Sequence, residues 1–195
     1  MKNPEFVQIK EKRYKINTSY LVALECDKIA KDEKIGGYER TLAIIYKLFG
    51  EDGLNAHENY AELLELAKRY INIGKVSKAE KTQNKKPDMD FEKDMHYIKA
   101  SFMYDYGIDL DKNPDMHWWT FYGLLEGLSN SEFGNCCILN RVRNLRNVDL
   151  SKIKDSKERE KIAKAQSEVA LEQEKPQLTE QQIRNCEKIY KLIGL

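Results

Sequence analysis

The sequence has no long apolar run. None of its 195 residues falls in a stretch near the roughly 18 apolar residues that span a bilayer, so no transmembrane helix is expected. The N-terminal MKNPEFVQIKEKRYKIN lacks an apolar core of signal-peptide length. Cysteine is sparse: Cys26, Cys136, Cys137 and Cys186 form no C-x-x-C pair, which argues against a zinc or dithiol site. Adjacent Cys136 and Cys137 cannot bridge without strain, and free thiols in a reducing cytoplasm are the simplest reading. An excess of one charge is also missing. Lys plus Arg is 33 against 32 for Asp plus Glu, a net charge of +1, so global charge gives no reason to invoke nucleic acid or an anionic membrane. No G-x-G-x-x-G, phosphate-binding loop or nucleophile elbow occurs.

What is present is charge and helical period. The chain is 33% charged, above the usual quarter or so, which favours helices with solvated outer faces. Residues 6–16 alternate, with Val7 and Ile9 followed by Tyr14 and Ile16 across a charged Lys10–Arg13 break, and suggest a short β-hairpin. From Thr18 the period becomes helical. Tyr20, Leu21, Leu24 and Ile29 make a first stripe, with Asn17 or Thr18 as N-cap. Gly36–Gly37 breaks the chain, and Tyr38, Leu42, Ile45, Tyr46 and Phe49 make a second stripe ending at Gly50. Tyr60, Leu63, Leu64, Ala67, Tyr70 and Ile71 make a third that stops near Gly74.

Residues 75–89 lose the apolar period and read as a flexible, solvated loop. Phe91, Met95, Ile98, Phe102 and Tyr106 then form a fourth helix, with Asp88 and Asp90 at its N-terminal end and Gly107 as C-cap. A fifth starts near Pro114–Asp115 and runs from His117 to Leu128, with Trp118, Phe121, Tyr122, Leu125 and Leu128 inward. Ser129 and Glu132 fit a capping box for a sixth, through Phe133, Cys137, Val142 and Leu145. KDSKEREK, residues 154–161, has no apolar side chain and reads as a solvated helix that Pro176 ends. Thr179 with Gln182 caps a last short helix carrying Ile183, Tyr190 and Leu192. The expected fold is mostly α: a compact bundle of about six to eight helices, a short N-terminal hairpin, and a charged C-terminal helical extension. The domain reading is a helical core over 1–150 and a charged extension over 151–195.

Three groups of residues could carry chemistry. Taking Asp109 as position one of a calcium loop puts Pro114 where Gly is needed and Thr120 where a bidentate Glu is needed, so the acidic run needs no metal. His57, His96 and His117 show no metal-binding spacing and read as surface or packing residues. No cofactor is expected. Arg143 and Arg146 share a helical face, with Arg141 turned away, but no aromatic residues interleave as a nucleic-acid stacking platform needs. The most informative segment is HWWTFYGLLEGL, residues 117–128. Trp118 and Trp119 point about 100° apart on a helix, so Trp119 flanks the core stripe beside Gly123 and Gly127. Either another helix of the same chain or a partner helix fits that face. On the partner reading, Trp119→Ala weakens binding and leaves stability nearly intact.

The run DFEKDMHYIKASFMYDYGIDLDKNPDMHWWTFYGLLEGLSNSEF, residues 90–133, resembles the central signature of a small tail-gene family of phages with long non-contractile tails. The YKINTSY region and the arginines near Arg141 fit less specifically, and the resemblance covers roughly residues 6–150. It implies a tail assembly chaperone, encoded between the major tail protein and the tape-measure protein. Such a chaperone keeps the tape-measure chain soluble and recruits major tail-tube subunits. It implies work in the host cytoplasm, absence from the finished virion, and at times expression as a frameshift fusion. No catalytic residues carry over. Trp118, Trp119, Gly123, Gly127, Arg143 and Arg146 are the candidate partner-binding residues, with self-association open. The alternatives are a structural virion component, such as a head–tail connector or tail-completion protein, and a nucleic-acid-binding helical module.

Overall fold

The computed structural model describes residues 3–74, 87–130 and 136–171. It falls into two compact units, residues 1–144 and 145–195. The described residues form seven α-helices and one two-stranded antiparallel hairpin.

The hairpin pairs β1 (Phe6–Ile9) with β2 (Lys12–Lys15), Val7 opposite Tyr14. Its turn lacks Gly and Asn, so Lys10 itself takes a left-handed φ of 53°. The period-two reading holds on the inner face, where Ile9, Tyr14 and Ile16 are buried. The hairpin lies on helices, as two strands alone would be marginal in water. Tyr14 meets Phe49 edge to face, and its hydroxyl accepts from Asn59 Nδ2 at 3.1 Å.

Helix α1 (Tyr20–Lys31) buries Tyr20, Ala23 and Cys26, whereas Leu21 is exposed, so the predicted stripe is rotated. Burial pushes the Cys26 thiol pKa up to about 12. The N-cap is Ser19 rather than Asn17 or Thr18. Its hydroxyl accepts from Leu21 N at 3.2 Å and donates to Pro114 O at 2.7 Å, a cap and a long-range tie in one side chain.

Helix α2 (Gly37–Leu54) does not stop at Gly50 as its stripe suggested; it kinks there and runs on. Gly50 sits at φ 64°, ψ −154°, a region essentially closed to side chains. The kink frees Leu48 O to accept from Asn17 N at 2.7 Å, which ties the strand exit to α2. Gly50→Ala is therefore expected to cost about 1–3 kcal/mol, read as a lower denaturation midpoint. Gly37→Ala, at a helical position with open space around it, should cost almost nothing. Tyr38 and Tyr46, expected on the core face, are exposed; the buried face is Ile44, Ile45, Leu48 and Phe49.

A single 3-10 turn (57–59) leads into α3 (Tyr60–Ile71), which buries Leu63, Ala67 and Tyr70 on the expected stripe. The loop expected over 75–89 lies mostly outside the described residues. Before α4 (Met95–Tyr106), Asp90 Oδ1 accepts from the N–H groups of Glu92 and Lys93, both at 2.9 Å. Gly107 ends α4 as expected, left-handed at φ 66°. Its N–H bonds to Met103 O, the single bond of an αL cap, and the following Ile108 N–H bonds to Phe102 O.

Helix α5 (Trp118–Glu126) and helix α6 (Ile138–Arg146) follow. Ser129 does not cap α6, which begins at Ile138. Its N–H and hydroxyl both go to the Asp105 carboxylate, at 2.7 and 2.9 Å; Glu132 lies outside the described residues. In the second unit, Asp155 caps α7 (Ser156–Glu168), accepting from Glu158 N at 2.7 Å. That helix has no buried residue, as KDSKEREK implied, and it ends at Glu168, well before Pro176. The helix expected after Thr179 lies outside the described residues. No helix among the described residues is long and apolar enough to cross a membrane.

Candidate partner-binding faces

The first unit is organised around an aromatic stack. Phe121 lies parallel to Tyr20 (centroids 4.6 Å apart), Phe102 (5.2 Å) and Trp118 (5.7 Å). Tyr20 completes the layer by donating its hydroxyl to Leu110 O at 3.2 Å. Two helix starts are joined beside it. Tyr20 N donates to Met116 O at 2.9 Å and Trp118 N to Thr18 O at 2.7 Å, an antiparallel bridge centred on Ser19 and His117. His117 caps α5, its Nδ1 accepting from Trp119 N at 3.0 Å while Nε2 lies 3.0 Å from Pro4 O. Only the Nε2-protonated neutral tautomer makes both bonds.

This frame settles where the tryptophan pair goes. A helix ends with carbonyls that its own N–H groups cannot satisfy. Two carbonyls at the end of α3 receive the two indoles: Trp118 Nε1 donates to Ile71 O at 2.9 Å and Trp119 Nε1 to Tyr70 O at 3.0 Å. Adjacent tryptophans diverge on their own helix yet reach adjacent carbonyls on the next. Trp118 is buried. Trp119 is half-buried and stacked on Tyr70 at 6.1 Å, and a Cβ at Gly74 would meet its ring at 3.4 Å. Burial pushes the Tyr70 phenol pKa upward, and its hydroxyl has no partner among the described residues.

The two glycines of α5 differ. A Cβ at Gly127 would lie 2.9 Å from the Tyr106 hydroxyl, which donates to Leu124 O at 2.9 Å, so Gly127 admits a side chain of α4. Gly123 is exposed, with nothing within 4 Å of an added Cβ. Of the arginines, Arg143 donates from Nε and Nη2 to Asp88 Oδ2 at 3.1 and 2.9 Å, and from Nη1 to Asn140 Oδ1. Arg146, in the second unit, donates to Val169 O at 2.6 Å. Trp118, Trp119, Gly127, Arg143 and Arg146 are thus each engaged within the chain.

Apolar surface without such engagement lies elsewhere. Tyr38 and Tyr46 project from α2, and Met103 and Tyr104, 48% and 71% exposed, from α4. Beside Tyr46 a wide groove of about 960 Å³ runs along the α2 kink, lined by Val22, Lys47, Gly50 and Lys15, with the Glu25–Lys47 ion pair across it. The signal was present in the sequence. The stripe that assigned Ile98, Phe102 and Tyr106 to the core of α4 left Ala100, Met103 and Tyr104 unassigned on its other side.

Among known proteins, a family model described as Bacteriophage Gp15 protein matches residues 2–171. No curated protein and no solved structure matches the chain.

Proposed function

The chain belongs to the bacteriophage Gp15 protein family, and from that premise we propose that this phage protein is a non-catalytic tail assembly chaperone. It binds the tape-measure protein while that long chain is unassembled, keeps it soluble and brings tail-tube subunits to it. It acts in the host cytoplasm and leaves before the virion is complete. The observation that carries the reading is the pairing of a heavily charged exterior with apolar side chains facing outward from α2 and α4. An unassembled helical client would otherwise aggregate through its apolar stripe, and a binder needs outward apolar positions on a soluble body.

The test is co-expression with the tape-measure protein of the same phage. Soluble tape-measure protein that co-purifies, and is lost when this chain is omitted, is the expected result. A tape-measure protein that stays insoluble, with this chain recovered instead from purified particles, would replace the chaperone with a structural virion component.

A further inference from the structure

Helix α4 has apolar side chains on two opposite faces. One face is core: Ile98, Ser101 and Phe102 are buried. The other carries His96, Ala100 and Met103, at spacings of four and three residues, with Tyr104 alongside and the left-handed Gly107 just past the helix end. All five are exposed, and a Cβ at Gly107 would meet nothing within 4 Å. That spacing is the seam of two packed helices, and an ordinary surface helix is polar there. Among the described residues, nothing covers the seam.

We infer that this outer seam of α4 docks one amphipathic helix of the client, an inference that rests on the chaperone reading above. The seam alternates large and small. His96 and Met103 are knobs, while Ala100 leaves a hole between them, so the matching helix sets a large apolar side chain over Ala100 and a smaller one over Met103. Methionine, unbranched and polarizable, tolerates variation in what it meets. That suits a client offering many similar turns rather than one fixed sequence.

Charge and area narrow the occupant further. Lys99, which precedes Met103 by one turn on α4, is already paired within the chain, with Asp111 at 2.5 Å. The Asp111 hydrogen bond holds the Lys99 pKa up. That cation is therefore compensated, which fits an apolar helix and gives a phosphate backbone no row of free cations along α4. From His96 to Met103 the seam spans about 10 Å of helix, at 1.5 Å per residue. A stable dimer needs about 800 Å² and 20–30 residues on each side. About two turns of helix fall well short, so a permanent second copy is a poor occupant and a releasable helix a good one.

The test uses the full chain co-expressed with the tape-measure protein. The double variant Ala100→Arg with Met103→Glu puts charges into the seam at exposed positions, so the free chain should melt within about 2 °C of wild type, as surface changes away from structural features do. Captured client should fall at least tenfold, while Leu21→Ser, at an exposed apolar position of α1, leaves capture unchanged. Retained capture by the double variant would overturn the seam inference and leave the chaperone reading standing. Failure of the wild-type chain to capture the client would overturn both. Peroxide oxidation of Met103 gives a second readout, fast in the free chain and slowed in the complex. Protection in the dilute free chain would mean that its own residues cover the seam. Protection that rises with concentration, without client, would mean a second copy does. Either result overturns the inference.

Discussion

Phe121→Ala should lower stability by about 3–5 kcal/mol, the range for emptying a buried aromatic site. Phe121 is fully buried and stacks on three rings drawn from three helices: Tyr20 of α1, Phe102 of α4 and Trp118 of α5 itself. Closing the hole is hindered, because two of the three neighbours are held by their own bonds. Tyr20 is tied to Leu110 O and Trp118 to Ile71 O. Partial collapse is therefore limited, and the cost should sit at the upper end. Phe121→Leu, which keeps most of the volume, should cost no more than about half as much. Urea denaturation followed by circular dichroism measures both, as a drop in midpoint with unchanged slope. A loss below about 1 kcal/mol for the alanine variant would mean that the stack is not the keystone of the first unit.

What the sequence made legible follows from side-chain size. Helices α3 and α4 were readable because large apolar residues mark their buried faces and glycine marks an end: Gly107 closes α4 just where a residue free to take φ 66° was needed. Helix α1 was misread because its seam is small. Ala23 and Cys26 are fully buried, while the larger Leu21 faces solvent, so a stripe drawn through the bulkiest residues rotates away from the true one. Helix α2 was misread because Gly50 is both a natural stop and, at its unusual dihedral, a kink that lets a further turn form. The caps depended on distant chain. Asn17, Thr18 and Ser19 all suit an N-cap by type, and Ser19 takes the role because Pro114 O is there to receive its hydroxyl proton.

The candidate site was less legible, for a related reason. The residues that carry the resemblance to a phage tail-gene family are largely those that build the core: Ile98, Phe102, Leu110, Trp118 and Phe121 are all buried. A signature of that kind reports a fold, and the tryptophan pair stood out because its structural task is demanding. Two indole N–H groups must meet two carbonyls at the end of α3. Positions free to meet a partner are by construction those with no such task, such as Met103 and Tyr104. They leave only the weak trace of an apolar residue where a solvated helix would carry a charge.

Trp119→Ala separates the two roles for that residue. The sequence alone allowed a docking side chain whose loss would spare stability. The geometry instead gives Trp119 a ring stacked on Tyr70 and a bond to Tyr70 O. Truncation should therefore cost about 2–3 kcal/mol, less than a fully buried tryptophan because one side of the ring is open. Trp119→Phe keeps the stacking surface and loses the N–H, and Tyr70 O still accepts from Ile73 N at 3.1 Å. With no carbonyl orphaned, that variant should lose only about 0.5–1.5 kcal/mol. Client capture by Trp119→Phe should match wild type, whereas the α4 seam variant should lose capture and keep its melting point. The opposite pattern, a Trp119→Ala chain that melts as wild type but no longer holds the tape-measure protein, would move the docking face from α4 to α5. The bond to Tyr70 O would then be incidental, and the role of Trp119 would lie in the complex.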